Sequence, residues 1–249
     1  MSGPIRRALV TGGSAGLGAA MAEHLLGCGY EVVSLDRNRP CAGAGPVLFI
    51  QCELGSRSEL DRVMPEVIEA GPYDLVLLNT GINATGAFET VSSESHQQIL
   101  RVNAEAPMVM ASRLLTERAF TPSAALVFVS SLSFFTGYPG AASYAASKDA
   151  LSAYAASMRK TAKARGISIT TAYPGPIRTD HAERHAPAGA DATRRMDPGL
   201  VARLIIADAV GGRKTSIPGG ANRVFALIGR IAPKPVTALM RRGIYVRLK

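Results

Sequence analysis

Short apolar runs alternate along the chain with longer segments whose apolar positions recur every three or four residues, a pattern that predicts repeated βαβ units around a mostly parallel sheet. Strands are expected at Arg7 to Thr11, Glu31 to Leu35, Val47 to Gln51, Leu75 to Asn79, Ala125 to Ser130, Ile167 to Ala172 and Lys214 to Ile217. Helices are expected at Leu17 to Cys28, Arg57 to Ala70, Ser95 to Phe120, Ser143 to Arg165 and Pro198 to Val210. Pro107 should bend the third, because proline lacks the N–H that a helix interior needs. Each parallel pair requires such a crossover. Thr179 to Asp197 is the one long stretch without clear period, and loops of that length often cover a site. There is no internal repeat and no linker. One α/β domain is expected, with its body over residues 1–221 and an extension of the same domain over 222–249.

Charge changes the picture only at one end. The 249 residues are 47% hydrophobic and 19% charged with a formal charge of +9, and seven basic residues with no acidic one lie between Asn222 and Lys249, leaving +2 for the rest. A nearly neutral body argues against a nucleic-acid-binding face across the fold. In the tail, Val224, Leu227, Ile228 and Ile231 stand at helical spacing between Arg223 and Arg230. Three uses stay open: packing over a site or subunit contact, which is favoured; peripheral contact with an anionic membrane; or a loosely held basic end. Cys28, Cys41 and Cys52 are too few and too irregular for a disulfide framework or a four-ligand zinc site, which points to a reducing cytoplasm. The start runs directly into Ala8-Leu9-Val10 without a signal-peptide pattern, and no stretch reaches the ~20 apolar residues of a membrane-crossing helix.

The chemistry begins after the first strand. Thr11-Gly12-Gly13-Ser14-Ala15-Gly16-Leu17-Gly18 opens the first helix, so its backbone N–H groups can face a pyrophosphate. A plain strand-to-helix turn could use the same residues. Asp36, at the end of the second strand and roughly twenty residues on, is placed to accept hydrogen bonds from the ribose hydroxyls of a dinucleotide. A 2′-phosphate there would meet negative charge, so NAD is favoured over NADP, while Arg37 beside it keeps NADP open.

Tyr144 and Lys148 stand at i and i+4 in a helical segment and so share a face. A phenol with a pKa of about 10 is a poor acid or base at neutral pH, and a nearby cation favours its ionised form. An isolated pair of this kind would more often be a packed tyrosine with a lysine reaching to solvent.

Taken together, these residues resemble the short-chain dehydrogenase/reductase family from about Arg7 to Thr179. The matches occur in order: the T-G-x-x-x-G-x-G turn at Thr11 to Gly18, Asn103 in Val102-Asn103, Ser131 thirteen residues before the tyrosine, Tyr144 and Lys148 as Y-x-x-x-K, and Pro174-Gly175. The resemblance implies a single-domain Rossmann fold with a doubly wound seven-stranded parallel sheet flanked by helices. It implies that Ser131 binds the substrate oxygen and Tyr144 exchanges its proton. Lys148 would hold the nicotinamide ribose and depress the phenol's pKa, and Asn103 would support a water relay. It further implies cofactor contacts from Gly12, Ser14, Ala15, Gly16, Leu17, Gly18, Asp36, Arg37, Glu53, Leu54, Asn79, Gly81, Pro174, Gly175, Ile177 and Thr179. Two of these regions depart from the pattern: Leu78-Asn79-Thr80-Gly81 replaces N-N-A-G, and Glu53 stands where aspartate is usual.

Leu132, Phe134, Phe135 and Tyr138 are expected to border a substrate pocket, which suggests an apolar or ring-containing substrate. The expected activity is hydride transfer between a nicotinamide cofactor and a secondary alcohol or ketone, by a homodimer or homotetramer. A non-catalytic dinucleotide-binding sensor or regulatory protein is the alternative. No metal is called for: His181 and His185 stand at i and i+4, but the glutamate is misplaced for H-E-x-x-H and no third ligand is evident.

Overall fold

The computed structural model describes residues 5–40, 47–185 and 191–243, so Cys41 and parts of the 179–197 and 222–249 segments lie outside the described residues. Seven strands, β1 (Arg6–Thr11), β2 (Tyr30–Asp36), β3 (Val47–Gln51), β4 (Tyr73–Leu78), β5 (Phe120–Val129), β6 (Ser168–Ala172) and β7 (Thr215–Ser216), pair in parallel in the order β3-β2-β1-β4-β5-β6-β7. Strand order reverses between β1 and β4, and at such a switch point the loops leaving the carboxyl ends diverge and open a crevice.

Alternation along each strand feeds two cores. Leu9, Val76 and Leu78 face α2 (Arg57–Glu69), α4 (Ala106–Thr116) and α6 (Ala142–Lys163), while Ala8, Val10, Leu75 and Leu77 face α1 (Gly16–Gly27) and α8 (Pro198–Val210). The expected doubly wound α/β sandwich is therefore the observed one.

The third helix differs from expectation in both its kink and its end. It runs as α3 (Ser93–Leu100), a π-helical turn (Arg101–Glu105) and α4, and in that turn Ala106 N–H donates to Arg101 O. Pro107 has no N–H to return to Asn103, so the ladder is loosened one turn before the proline and accommodates an extra residue. The helix stops at Thr116 rather than Phe120. Arg118 takes φ +55° and Ala119 N–H turns back to Leu114 O, releasing Phe120 into β5.

The segment without period holds a short helix α7 (Asp180–Arg184) and a 3₁₀ turn (Ala192–Arg194). Its two arms are stapled by Ile177 bridging Met196, with Arg178 N–H donating to Met196 O and Met196 N–H to Pro176 O. Beyond β7, α9 (Gly220–Ile231) and α10 (Pro233–Gly243) pack on α5 (Ser133–Thr136). The apolar stripe of α9 points outward: Val224, Leu227 and Ile231 are 58%, 58% and 76% exposed, while Ala226 and Gly229 form the buried face. Small residues win that face because the α5 backbone lies against it. A Cβ on Gly229 would sit 2.2 Å from Phe135 O. No helix among the described residues is long and apolar enough to cross a membrane.

Gly229→Ala is accordingly expected to destabilise the fold by about 1–3 kcal/mol through overpacking, read as a lower urea midpoint. Ile228→Ser, on the exposed face, should leave the midpoint unchanged; equal effects would contradict the packing described.

Candidate active site

The glycine turn joins β1 to α1 at the switch point. Gly12 and Gly16 hold φ +71° and +56°, and a Cβ on Gly18 would fall 1.9 Å from Gly12 O, so the turn closes on itself only without side chains there. α2, α3 and α8 are capped by side-chain oxygens of Ser56, Ser92 and Asp197, but Ala15 gives α1 no such bond and its first turn has no acidic residue. The N-terminal N–H groups and helix dipole of α1 are thus left for an external anion. Thr179 lies across the turn, its Cγ2 3.3 Å from where a Cβ on Gly16 would be. This cradle fits a pyrophosphate.

Asp36 closes the side of the crevice. Its carboxylate accepts from Ser14 N (3.0 Å), Ser14 Oγ (2.6 Å) and Asn38 N (3.1 Å), which fixes an anion at the end of β2. Arg37 pairs with Glu53 at 3.6 Å, both exposed, and Glu53 also accepts from Gly55 N. Leu54 is buried in the core beside α2. Across the switch point Asn79 Nδ2 donates to Thr11 O, and Thr11 Oγ1 accepts from the backbone N–H groups of Asn79 and Thr80, tying the ends of β1 and β4 together.

The four residues expected to carry chemistry converge on one small region. Asn103, wholly buried in the π turn, accepts from Ile82 N (2.8 Å) and donates to Ile82 O (2.9 Å) and Ser147 Oγ (3.0 Å). Ser147 in turn donates to Tyr144 O at 2.7 Å. The π turn thereby spans from the loop after β4 to the backbone of the tyrosine. Lys148, 3% exposed, donates from Nζ to Val129 O at 2.8 Å, and Gly81 passes so close that a Cβ there would lie 3.0 Å from the ammonium. Ser130 Oγ donates to Lys148 O and receives from Ser152 Oγ, holding the helix against the strand end. Lys148 Nζ stands 6.0 Å from the Tyr144 ring centroid.

Burial raises the pKa of the Tyr144 phenol, its hydrogen bond with Ser131 pulls in the opposite direction, and the neighbouring Tyr138 adds to the rise. The Lys148 ammonium, 6.0 Å from the ring centroid, donates to Val129 O and is itself pushed down to about 8 by burial. Lys148 therefore sits near its titration point while the phenol remains a proton donor.

Around this centre, Pro174 O accepts from Leu132 N, and Gly175 is overlaid by Asn222, whose Oδ1 would lie 2.6 Å from a Cβ there. Of the expected pocket residues, Leu132 and Phe135 are instead buried with Tyr173 and Ala226, because α9 covers them. Phe134 stays exposed with its ring 5.2 Å from that of Tyr173, and Tyr138 packs edge-on to Tyr144 at 6.3 Å between centroids. The rings of His181 and His185 lie 4.8 Å apart and tilted by 57°, and His181 is driven down to about 4 by burial and by the charges of His185, Arg184 and Lys148. Ser147 and the Val129 carbonyl were not singled out by sequence; Ser147 lies inside the Y-x-x-x-K stretch as an ordinary helix residue.

Comparison with known proteins agrees with this geometry. The short chain dehydrogenase family model matches residues 6–188. An uncharacterised oxidoreductase of Myxococcus xanthus is 32% identical over 185 residues, covering 70% of this chain and 73% of its own. Among solved structures, a short-chain dehydrogenase from Sphingobium yanoikuyae in complex with NADPH aligns with TM-score 0.77 at 21% identity, covering 90% of this chain and 93% of that one. The 3-oxoacyl-[acyl-carrier protein] reductase from Brucella melitensis in complex with NAD aligns with TM-score 0.79 at 24% identity, covering 90% and 99%. The chain belongs to the short chain dehydrogenase family of oxidoreductases.

The buried ammonium makes a stability test. Below pH 8 Lys148 is charged in folded and unfolded chains alike and the full cost of burying it is present. Between about 8 and its ordinary value of 10.5 the folded chain has lost a proton that the unfolded chain keeps, so stability rises with pH across that window. Relative to Lys148→Met, the wild type is expected to gain up to about 3 kcal/mol in urea unfolding between pH 7 and pH 10.5. A difference that does not change with pH would contradict the burial of a charged lysine.

Proposed function

We propose that this protein transfers hydride between a nicotinamide dinucleotide, NAD ahead of NADP, and a secondary alcohol or its ketone. The observation that carries the reading is the convergence of Ser131, Tyr144 and Lys148 beside a glycine turn whose helix N-terminus has no side-chain cap. When bound, the cofactor supplies the hydride donor or acceptor, which no side chain can provide. The Gly12 to Gly18 turn with Ser14, Ala15 and Leu17 would hold its pyrophosphate, Asp36 its adenosine ribose with Asn79 lining the adenosine side, Pro174 and Gly175 would lie near the nicotinamide with Gly81 beside Lys148, and Ile177 and Thr179 would approach the carboxamide and the phosphates.

Ser131 binds the substrate oxygen, and Tyr144 Oη donates its proton to that oxygen during reduction or receives it during oxidation. The raised phenol pKa favours the donating direction. Lys148 replenishes the proton and binds ribose hydroxyls. Asn103 acts by positioning, since both ends of its amide are committed to Ile82 and Ser147. Phe134 and Tyr138 present aromatic surface, supporting a ring-containing or otherwise apolar substrate. Asp36 supports NAD because its fixed carboxylate would repel a 2′-phosphate, while Arg37, already paired with Glu53, is not directed at one. Following the family, we place the protein in the cytoplasm as a homodimer or homotetramer joined through the helices that hold Asn103 and Tyr144. A non-catalytic sensor would have no use for a buried proton-carrying pair.

Tyr144→Phe should lower kcat by roughly 10²–10⁴-fold, the usual worth of a positioned acid or base, with little change in dinucleotide affinity; undiminished turnover of a ketone panel would sink the assignment. Asp36→Ala should move the ratio of catalytic efficiencies toward NADP by at least about tenfold, the equivalent of roughly 1.4 kcal/mol. If the wild type already prefers NADP, the carboxylate's assigned role is wrong.

A further inference from the structure

The α9 helix meets the body through Ala226, Gly229 and half-buried Phe225, and α10 through buried Val236 and a hydrogen bond from Thr237 Oγ1 to Thr136 O at 3.1 Å. The start of α9 is pinned as well, with Asn222 Nδ2 donating to Pro218 O (2.7 Å) and Arg223 Nε to Ile217 O (3.0 Å). What these contacts leave outside is apolar. Val224, Leu227, Ile228 and Ile231 recur at i, i+3, i+4 and i+7, so they line one side of the helix, and each is at least 46% exposed. Leu239 of α10 is 67% exposed. Of the twelve large apolar side chains exposed among the described residues, five fall within 224–239, while the other seven are spread from Ile5 to Val210. Scattered ones are ordinary, but a cluster on one fixed helix marks a surface that meets something other than water.

Charge says what that something is. No acidic residue follows Asp208, while Arg223, Arg230, Lys234, Arg241, Arg242, Arg247 and Lys249 all follow Asn222. Arg223 and Arg230, seven residues apart, share one flank of the α9 stripe. Arg7, Arg37, Arg57 and Arg113 of the body each pair with a carboxylate. Among the described residues Arg223, Arg230, Lys234 and Arg242 are exposed and enter no ion pair. The stripe is therefore edged by cations whose charge nothing in the fold neutralises.

We propose that α9 docks on the surface of an anionic phospholipid bilayer. Val224, Leu227, Ile228 and Ile231 enter the boundary between headgroups and acyl chains, and Arg223, Arg230 and Lys234 meet the lipid phosphates. A helix lying in that boundary needs an apolar side and a cationic edge, and α9 presents both on an element already fixed to the body. A second copy of the chain fits less well, because isologous pairing would set this cationic face against itself. A nucleic-acid backbone would meet the cations and leave the stripe in water. Docking of this kind requires nothing of the oxidoreductase reading.

Co-sedimentation of the full-length protein with lipid vesicles supplies the test. Vesicles of equal parts phosphatidylserine and phosphatidylcholine should bind it at least about tenfold more tightly than phosphatidylcholine alone, and added salt should release it. Leu227→Gln combined with Ile231→Gln should weaken binding by at least about tenfold while leaving the urea midpoint unchanged. Arg230→Gln combined with Lys234→Gln should weaken it by roughly 25-fold, about fivefold for each charge. Failure to sediment with the anionic vesicles, equal binding to both lipids, or undiminished binding of the Leu227 and Ile231 double variant overturns the proposal. So does a smaller species for that variant in lipid-free analytical ultracentrifugation, which would assign the stripe to a second copy of the chain.

Discussion

A lysine ammonium buried at the carboxyl end of a parallel sheet is costly, and the surroundings of Lys148 show how that cost is contained. The β5 strand end offers the Val129 carbonyl, Gly81 gives up its side chain to let the ammonium pass, and the Ser130–Ser152 pair locks the helix backbone above it. Burial still holds the lysine near its titration point. A core built for stability alone would place a methionine here. The arrangement instead keeps a protonatable ammonium one helical turn from a phenol at the carboxyl end of the sheet.

From that constraint the nearby oddities follow. The π turn at Arg101–Glu105 brings Asn103 inward, where one amide pins the loop after β4 and, through Ser147, the backbone of Tyr144. The strand-order reversal between β1 and β4 puts the glycine turn on the other side of the same crevice, and the Thr11–Asn79 bonds keep its edges from spreading. The 179–197 segment begins at Thr179, which lies against Gly16 of the same turn. Its ends are fastened by the Ile177–Met196 bridge, and α9 packs against Phe135 with Ala226 and Gly229. Fold and site share one set of contacts, so weakening either reaches the other.

Much of this was legible in residue order, and the exceptions share a cause. Alternation within strands and the 3.6 period of the main helices determine which face each element buries, and that is enough for a seven-stranded, doubly wound sheet. The glycine turn, Asp36 and the Tyr144–Lys148 pair carry local geometry in their spacing. What spacing could not show depends on contacts between distant segments. Leu132 and Phe135 read as pocket residues until α9 is laid over them, and Val224, Leu227 and Ile231 read as an inward stripe until Gly229 is seen against the Phe135 carbonyl. The phenol's raised pKa depends on how deeply it is buried, which i, i+4 spacing leaves open.

The central claim is spatial: phenol, ammonium and serine hydroxyl surround the reacting end of a bound dinucleotide. A crystal structure of the protein with NADH tests it most directly. The pyrophosphate should lie on the glycine turn between Gly12 and Gly18, with the nicotinamide ribose within hydrogen-bond reach of Tyr144 and Lys148 and the ring facing Ser131. A dinucleotide bound elsewhere, or one whose nicotinamide end leaves the crevice without meeting Tyr144 and Lys148, would contradict it.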